Sequence, residues 1–232
     1  MASDDSAHAT RFFVLDKLLG GTHDTEFSTI DLKVGPASLC PQCGDPLTFL
    51  TWQPPHQGEL ELHGQEFGDL VDGPSGGLLV TERFAEAFKA EGLTGLSGFH
   101  PVKVLRVKRK RRGSKPPPPP PYVFVMPAHG LPALDMERSR LWIGKPMKCI
   151  WCRYTGIDAI DGLALELATW SGEDVFRPRG LWGRIIVTER FMRFAERYAV
   201  SHMTFVPIEK YVWDPLGLYY PREQQLEPPT KG

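Results

Sequence analysis

The chain has 232 residues, of which 41% are hydrophobic and 24% charged, with a formal net charge of −1. These ordinary globular proportions supply a sizeable core. Its 22 prolines and 23 glycines predict many turns and long connections and argue against a helical bundle.

Met1 to Thr10 is polar and acidic, without a basic start followed by an apolar stretch. No secretory signal is read there, and no apolar run approaches the roughly 20 residues that cross a bilayer. A cytoplasmic protein with no membrane partner is expected. The first element with chemistry in it is Cys40-Pro41-Gln42-Cys43-Gly44. A strand-like approach, Gly77-Leu78-Leu79, then leads into Val80-Thr81-Glu82-Arg83-Phe84 and about ten helix-compatible residues. Thr81 is placed to cap that helix, Glu82 to sit at the positive end of its dipole, and Gly92 to stop it. A second strand is expected around Phe99 to Val107.

A basic run follows. Lys103, Arg106, Lys108, Arg109, Lys110, Arg111, Arg112 and Lys115 carry eight positive charges with no acid among them. Without these eight, 19 basic residues face 28 acidic ones, a balance of −9, so an acidic body carrying one basic loop is expected. Pro116 to Pro121 cannot form helix or ladder hydrogen bonds and reads as an extended spacer or, less simply, as a ligand for an SH3-like domain. Cys149-Ile150-Trp151-Cys152 comes next, with Arg153 where the first pair has glycine. The pentapeptide then recurs unchanged as Val187-Thr188-Glu189-Arg190-Phe191, with Arg184-Ile185-Ile186 before it and helix-compatible residues after it. That helix ends near Ala199-Val200 without a glycine, and a strand is expected at Met203 to Ile208.

The recurrence could be a coincidence of two capped helices, but a second landmark recurs with it. Cys40 precedes Val80 by 40 positions and Cys149 precedes Val187 by 38. The reading is an α+β fold of two related strand–helix–strand units, a pseudo-twofold duplication joined around a four-cysteine zinc site. The chain then divides into a flexible N-terminus (1–10), a first unit (11–107), a basic and polyproline insertion (108–121), a second unit (122–220) and a flexible tail (221–232).

All four cysteines stand in Cys-x-x-Cys pairs. A turn of that length points two thiolates at one ion, and Cys40, Cys43, Cys149 and Cys152 together would fill a tetrahedral Zn2+ site with no open position. That is the pattern of a structural ion. A pair of metal-free knuckles and a redox dithiol or disulfide remain the alternatives, and the separation of the pairs far exceeds that of a contiguous zinc ribbon. The histidines (8, 23, 56, 63, 100, 129 and 202) show no ligand spacing and read as solvated or satisfied polar residues. No phosphate loop or nucleophile elbow appears, so no enzyme is expected and no small-molecule substrate. The Glu-Arg dipeptides are explained by helix capping. Segments 53–68 and 171–183 read as exposed loops.

The arrangement of Cys40-Pro-Gln-Cys-Gly44, a distant second pair, the Val-Thr-Glu-Arg-Phe boundary and the apolar Phe205-Val206-Pro207 resembles the double-CXXCG motif family of myxobacteria, over roughly residues 11 to 210. The resemblance implies an immunity protein of the Sit type, which binds and neutralises a cognate toxin. The acidic balance would suit a basic, nuclease-like toxin. The alternatives are a zinc-stabilised nucleic-acid-binding or regulatory protein that uses the basic run at 103–115, and a subunit of a larger assembly.

Overall fold

The computed structural model describes residues 10–18, 20–110 and 117–219. The N-terminus except Thr10, the middle of the basic insertion (111–116) and the tail lie outside the described residues. Within them the strands are β1 (Phe12–Lys17), β2 (Thr25–Thr29), β3 (Gln57–Leu62), β4 (Leu70–Asp72), β5 (Leu78–Thr81), β6 (Leu96–Arg109), β7 (Tyr122–Leu134), β8 (Leu141–Lys145), β9 (Gly156–Asp161), β10 (Leu165–Glu166), β11 (Val175–Arg179), β12 (Ile185–Thr188), β13 (Met203–Pro207) and β14 (Val212–Trp213). The helices are α1 (Glu82–Ala90) and α2 (Glu189–Arg197). The fold is α+β. One sheet runs in the order β13-β1-β12-β11-β7-β6-β3-β2, with β5, β10 and, through β5, β4 attached at β7. A separate small sheet runs β14-β9-β8.

Both helices begin as their sequences dictate. Thr81 Oγ1 accepts from Phe84 N and Thr188 Oγ1 from Phe191 N, each at 3.3 Å, while Glu82 and Glu189 occupy the first turns. Both end in the same way. Gly92 N donates to Lys89 O and Leu93 N to Phe88 O; Ala199 N donates to Glu196 O and Val200 N to Ala195 O. These paired bonds require a left-handed residue after the cap. Gly92 supplies it at φ +62, and Ala199 is forced into it at φ +47. The stop that lacked a glycine is therefore a stop of the same geometry.

The strands leading into the helices are buried on both faces, as their unbroken apolar runs require. Val80 and Val187 face a core shared by the two helices, while Leu79 and Ile186 face cores on the other side of the sheet. Phe84 and Phe88 of α1 meet Phe191 and Phe194 of α2, with ring centroids 5.6–6.3 Å apart. β5 is flanked by β4 and β7, and β12 by β11 and β1, all antiparallel. The registers correspond: Thr81 lies opposite Tyr122 and Val80 opposite Val123, while Thr188 lies opposite Phe12 and Val187 opposite Phe13. The apolar strand beside each boundary thus comes from elsewhere in the chain. β1, near the N-terminus, serves the second pentapeptide, and β7, after the insertion, serves the first.

Two expectations are corrected. The segments read as exposed loops contain strands, β3 inside 53–68 and β11 inside 171–183, because Leu60, Leu62, Val175 and Phe176 bury their side chains in the sheet. The basic run is also not one loop. Lys103 to Arg109 belong to β6, which lies parallel to β3 with Glu59 opposite Arg106 and Glu61 opposite Lys108. Lys108 pairs with Glu59 and Lys110 with Glu61, so acids of the neighbouring strand neutralise part of the run.

Candidate metal centre

Each Cys-x-x-Cys pair occupies the tip of a hairpin. The first is closed by bridges between Val34 and Trp52 and between Leu39 and Pro46; the second by β8 and β9. At the first tip Cys40 N donates to Asp45 O and Gly44 N to Cys40 O; at the second Arg153 N donates to Cys149 O. The residue after each pair is left-handed, Gly44 at φ +75 and Arg153 at φ +58. The missing glycine leaves the turn intact because Arg153 is anchored from outside it. Its guanidinium donates to Leu134 O and pairs with Glu166 Oε2 at 2.6 Å, ties that offset the cost of the backbone conformation.

The two tips meet. Cys40 Sγ lies 3.9 Å from Cys149 Sγ and Cys43 Sγ 3.7 Å from Cys152 Sγ, across 109 residues of chain in both cases. All four sulfurs fall within 4.8 Å of one another, and none forms a disulfide. In a tetrahedral thiolate site with metal–sulfur bonds of about 2.3 Å the sulfurs stand about 3.8 Å apart. The spacing and the all-sulfur donor set therefore fit a metal ion that favours four thiolates. Cys40, Cys149 and Cys152 are buried and pack against Leu47 and Trp151, while Cys43 is exposed at the rim of the cluster.

The electrostatics suit the same purpose. Burial raises the Cys40 thiol, but N–H groups of Cys43 and Gln42 aimed at its sulfur outweigh that and bring it down to about 7. Cys43 accepts from Asp45 N, which lowers it, yet desolvation and the neighbouring sulfurs push it up to about 12. Burial also raises Cys152. One thiolate forms readily; further ones repel it unless a cation joins them. Arg179 supplies nearby positive charge. It lies 4.6 Å over the Trp151 ring and donates to Trp151 O and Leu131 O; burial lowers its pKa, an effect that the nearby Cys152 and Cys40 partly offset.

The Glu-Arg dipeptides do more than cap helices. Asp69, at the head of β4, accepts from Thr81 Oγ1 (2.7 Å) and Arg83 Nη2 (2.6 Å), and from Ser201 N and Oγ (3.0 Å each). Asp174, at the head of β11, accepts from Thr188 Oγ1 and Arg190 Nη1 (2.8 Å each) and Thr94 N (3.0 Å). Ser201 follows α2 and Thr94 follows α1, so each aspartate binds its own boundary and the end of the other helix. The arginines reach across in the same sense: Arg83 donates to Tyr198 O at the end of α2, and Arg190 to Glu91 O at the end of α1. Sequence reading missed these aspartates. Each precedes two apolar residues and stands 12 or 14 positions before its threonine, a signal visible once the two boundaries are aligned.

The histidines remain apart from the cysteines. The His202 side chain is fully buried with Nε2 3.8 Å from Asp24 Oδ1, and burial lowers its pKa. His56 and His100 stack at 4.8 Å beside Trp52. Among the described residues no helix is long and apolar enough to cross a membrane. Compared with known proteins, the chain matches no family model and no curated protein.

Proposed function

We propose that this chain is a duplicated, non-catalytic binding protein, stapled by one structural Zn2+ on Cys40, Cys43, Cys149 and Cys152, and that it acts as an immunity protein that neutralises a cognate toxin by stoichiometric contact. The observation that carries the structural part is the four-sulfur cluster. Four thiolates leave zinc no position for water or substrate, so the ion serves the fold. The staple joins turns 109 residues apart, and closing a loop of that length stabilises by about 4–5 kcal/mol on the chain-entropy account. The matched registers and crossed aspartate networks support descent of the halves from one ancestor. The immunity role is supported by the family resemblance of the cysteine pairs and pentapeptides. The rival nucleic-acid reading has lost part of its free charge at Lys108 and Lys110, which pair with Glu59 and Glu61.

Metal analysis tests the first half of the reading. About one zinc per chain is expected, with loss of the ion in Cys40→Ser, and less than about 0.3 per chain in the wild type would reject a shared site. Co-expression tests the second half. A secreted protein encoded next to this chain, lethal through its C-terminal domain alone, is expected to become harmless in the presence of the chain and to co-purify with it. Continued killing in the presence of soluble, metal-loaded protein would refute the immunity role.

A further inference from the structure

The surface beside the second knuckle is rich in exposed apolar side chains. Trp142 (47%), Ile143 (42%), Met147 (39%), Ile150 (76%) and Tyr154 (43%) are all exposed, five large apolar side chains within thirteen consecutive residues. Soluble surfaces seldom gather apolar groups so closely unless something covers them. Among these residues stand Lys145 and Lys148, both exposed and in no ion pair with another described residue. Lys17, Lys108 and Lys110 are paired with acids, with Asp72, Glu59 and Glu61, so their charge is not free for a partner.

The same hairpin is hollow. A cleft of about 500 Å³ opens between Lys145, Lys148, Tyr154 and Asp158. Thr155 is shared with a second cavity of about 280 Å³, lined by Trp182, Trp213 and Arg184. Arg184 has no carboxylate partner among the described residues and lies 5.7 Å over the Trp213 ring. Among the described residues β8 is paired on one side only, by β9, so its other edge offers backbone groups to an extended chain, while Tyr219 packs edge-on against Trp142.

We infer that the β8–knuckle–β9 hairpin is a docking face for an extended protein segment that carries acidic and apolar side chains. Carboxylates would meet Lys145, Lys148 and Arg184, and an aromatic or aliphatic side chain would enter the Trp182–Trp213 cavity. Two other occupants fit less well. A nucleic acid would use the lysines and the rings, but Ile143, Met147 and Ile150 offer neither charge nor a stacking face to it. A second copy docked on itself about a twofold axis would bring Lys145 and Lys148 towards their own copies, with Asp158 the one acid lining the cleft to offset them. The inference extends the proposed binding function to the chemistry of the partner. The contacting segment is acidic whatever the partner's overall charge.

The test needs no toxin, so its failure and the failure of the immunity role are separate results. Two labelled peptides of equal apolar content, one alternating glutamate with leucine and tryptophan and the other lysine in place of glutamate, are titrated into the zinc-loaded chain alongside an oligo-dT strand. The glutamate peptide is expected to bind about tenfold tighter than the lysine peptide, more weakly at high salt, and to move the indole N–H resonances of Trp142, Trp182 and Trp213. Lys145→Glu combined with Lys148→Glu is expected to weaken it about tenfold with zinc content unchanged. The indole shifts in the wild-type chain decide the matter even if that variant does not fold. Equal affinity for the two peptides, or shifts elsewhere, would overturn the inference. Tighter binding of oligo-dT would assign the face to nucleic acid, and concentration-dependent dimerisation that hides these indoles would assign it to a second copy.

Discussion

Asp69 offers the sharpest test of how the two halves are held together. Its carboxylate receives four hydrogen bonds, from Thr81, Arg83 and twice from Ser201, and its side chain is 10% exposed. In Asp69→Ala the hydroxyl of Thr81 and the amide of Ser201 lose their partner in a largely dry place, at about 1–3 kcal/mol each. Arg83 loses less, because it is 56% exposed and keeps Tyr198 O. The sum is about 3–4 kcal/mol, within the range for removing one member of a buried charged network. Asp69→Asn keeps one acceptor oxygen and the shape, and is expected to cost about half as much. Urea unfolding at neutral pH, with an unchanged m value, measures both. Burial raises the Asp69 pKa, but the Ser201 amide, Thr81 and Arg83 together hold it below the ordinary carboxylate value. A depressed folded pKa means that its contribution is complete above about pH 4, the unfolded value, and is lost as pH falls through the folded one. The acid-side slope of stability should therefore flatten in Asp69→Asn. A loss below about 1 kcal/mol in Asp69→Ala, or an unchanged acid slope in Asp69→Asn, would refute the view that this carboxylate locks one half to the other.

Three further outcomes follow from the same geometry. Ala199→Gly, which relieves a left-handed alanine at the end of α2, is expected to stabilise the protein by about 0.5–1 kcal/mol in urea melts, whereas Gly92→Ala should destabilise it by a similar amount. Phe194→Ala removes a ring that is 1% exposed and packed on Phe84, Phe88 and Phe191, and should cost about 3–5 kcal/mol by thermal or urea unfolding. Arg153→Gly relaxes the second knuckle while giving up the bonds to Leu134 O and Glu166; its zinc content should stay near that of the wild type, with Arg153→Ala less stable than Arg153→Gly because alanine keeps the strain and loses the anchor.

Features that depend on near neighbours are legible in the residues alone. Thr81 and Thr188 cap helices because a threonine oxygen three residues before an amide reaches it whatever lies around. The Cys-x-x-Cys turns present paired sulfurs for the same reason, and the spacing from cysteine pair to pentapeptide was enough to suggest that both pairs belong to one cluster. Gly92 marked a helix stop, but Ala199 did not, since an alanine enters the left-handed region only when bonds such as Val200 N to Ala195 O hold it there. The remainder depends on which surfaces the folded chain brings together. Nothing in Phe12–Lys17 says that this strand pairs with β12 and β13 near the other end of the chain, because its unbroken apolar run, buried on both faces, marks a central strand and names no partner. Asp69 and Asp174 look like ordinary surface acids until Ser201 and Thr94 arrive from the opposite helix. The basic run divided between a sheet strand and residues beyond it because Glu59 and Glu61 on a parallel neighbour supply its counter-charges. Local chemistry settles how a segment bends; only the assembled surfaces settle which segment it meets.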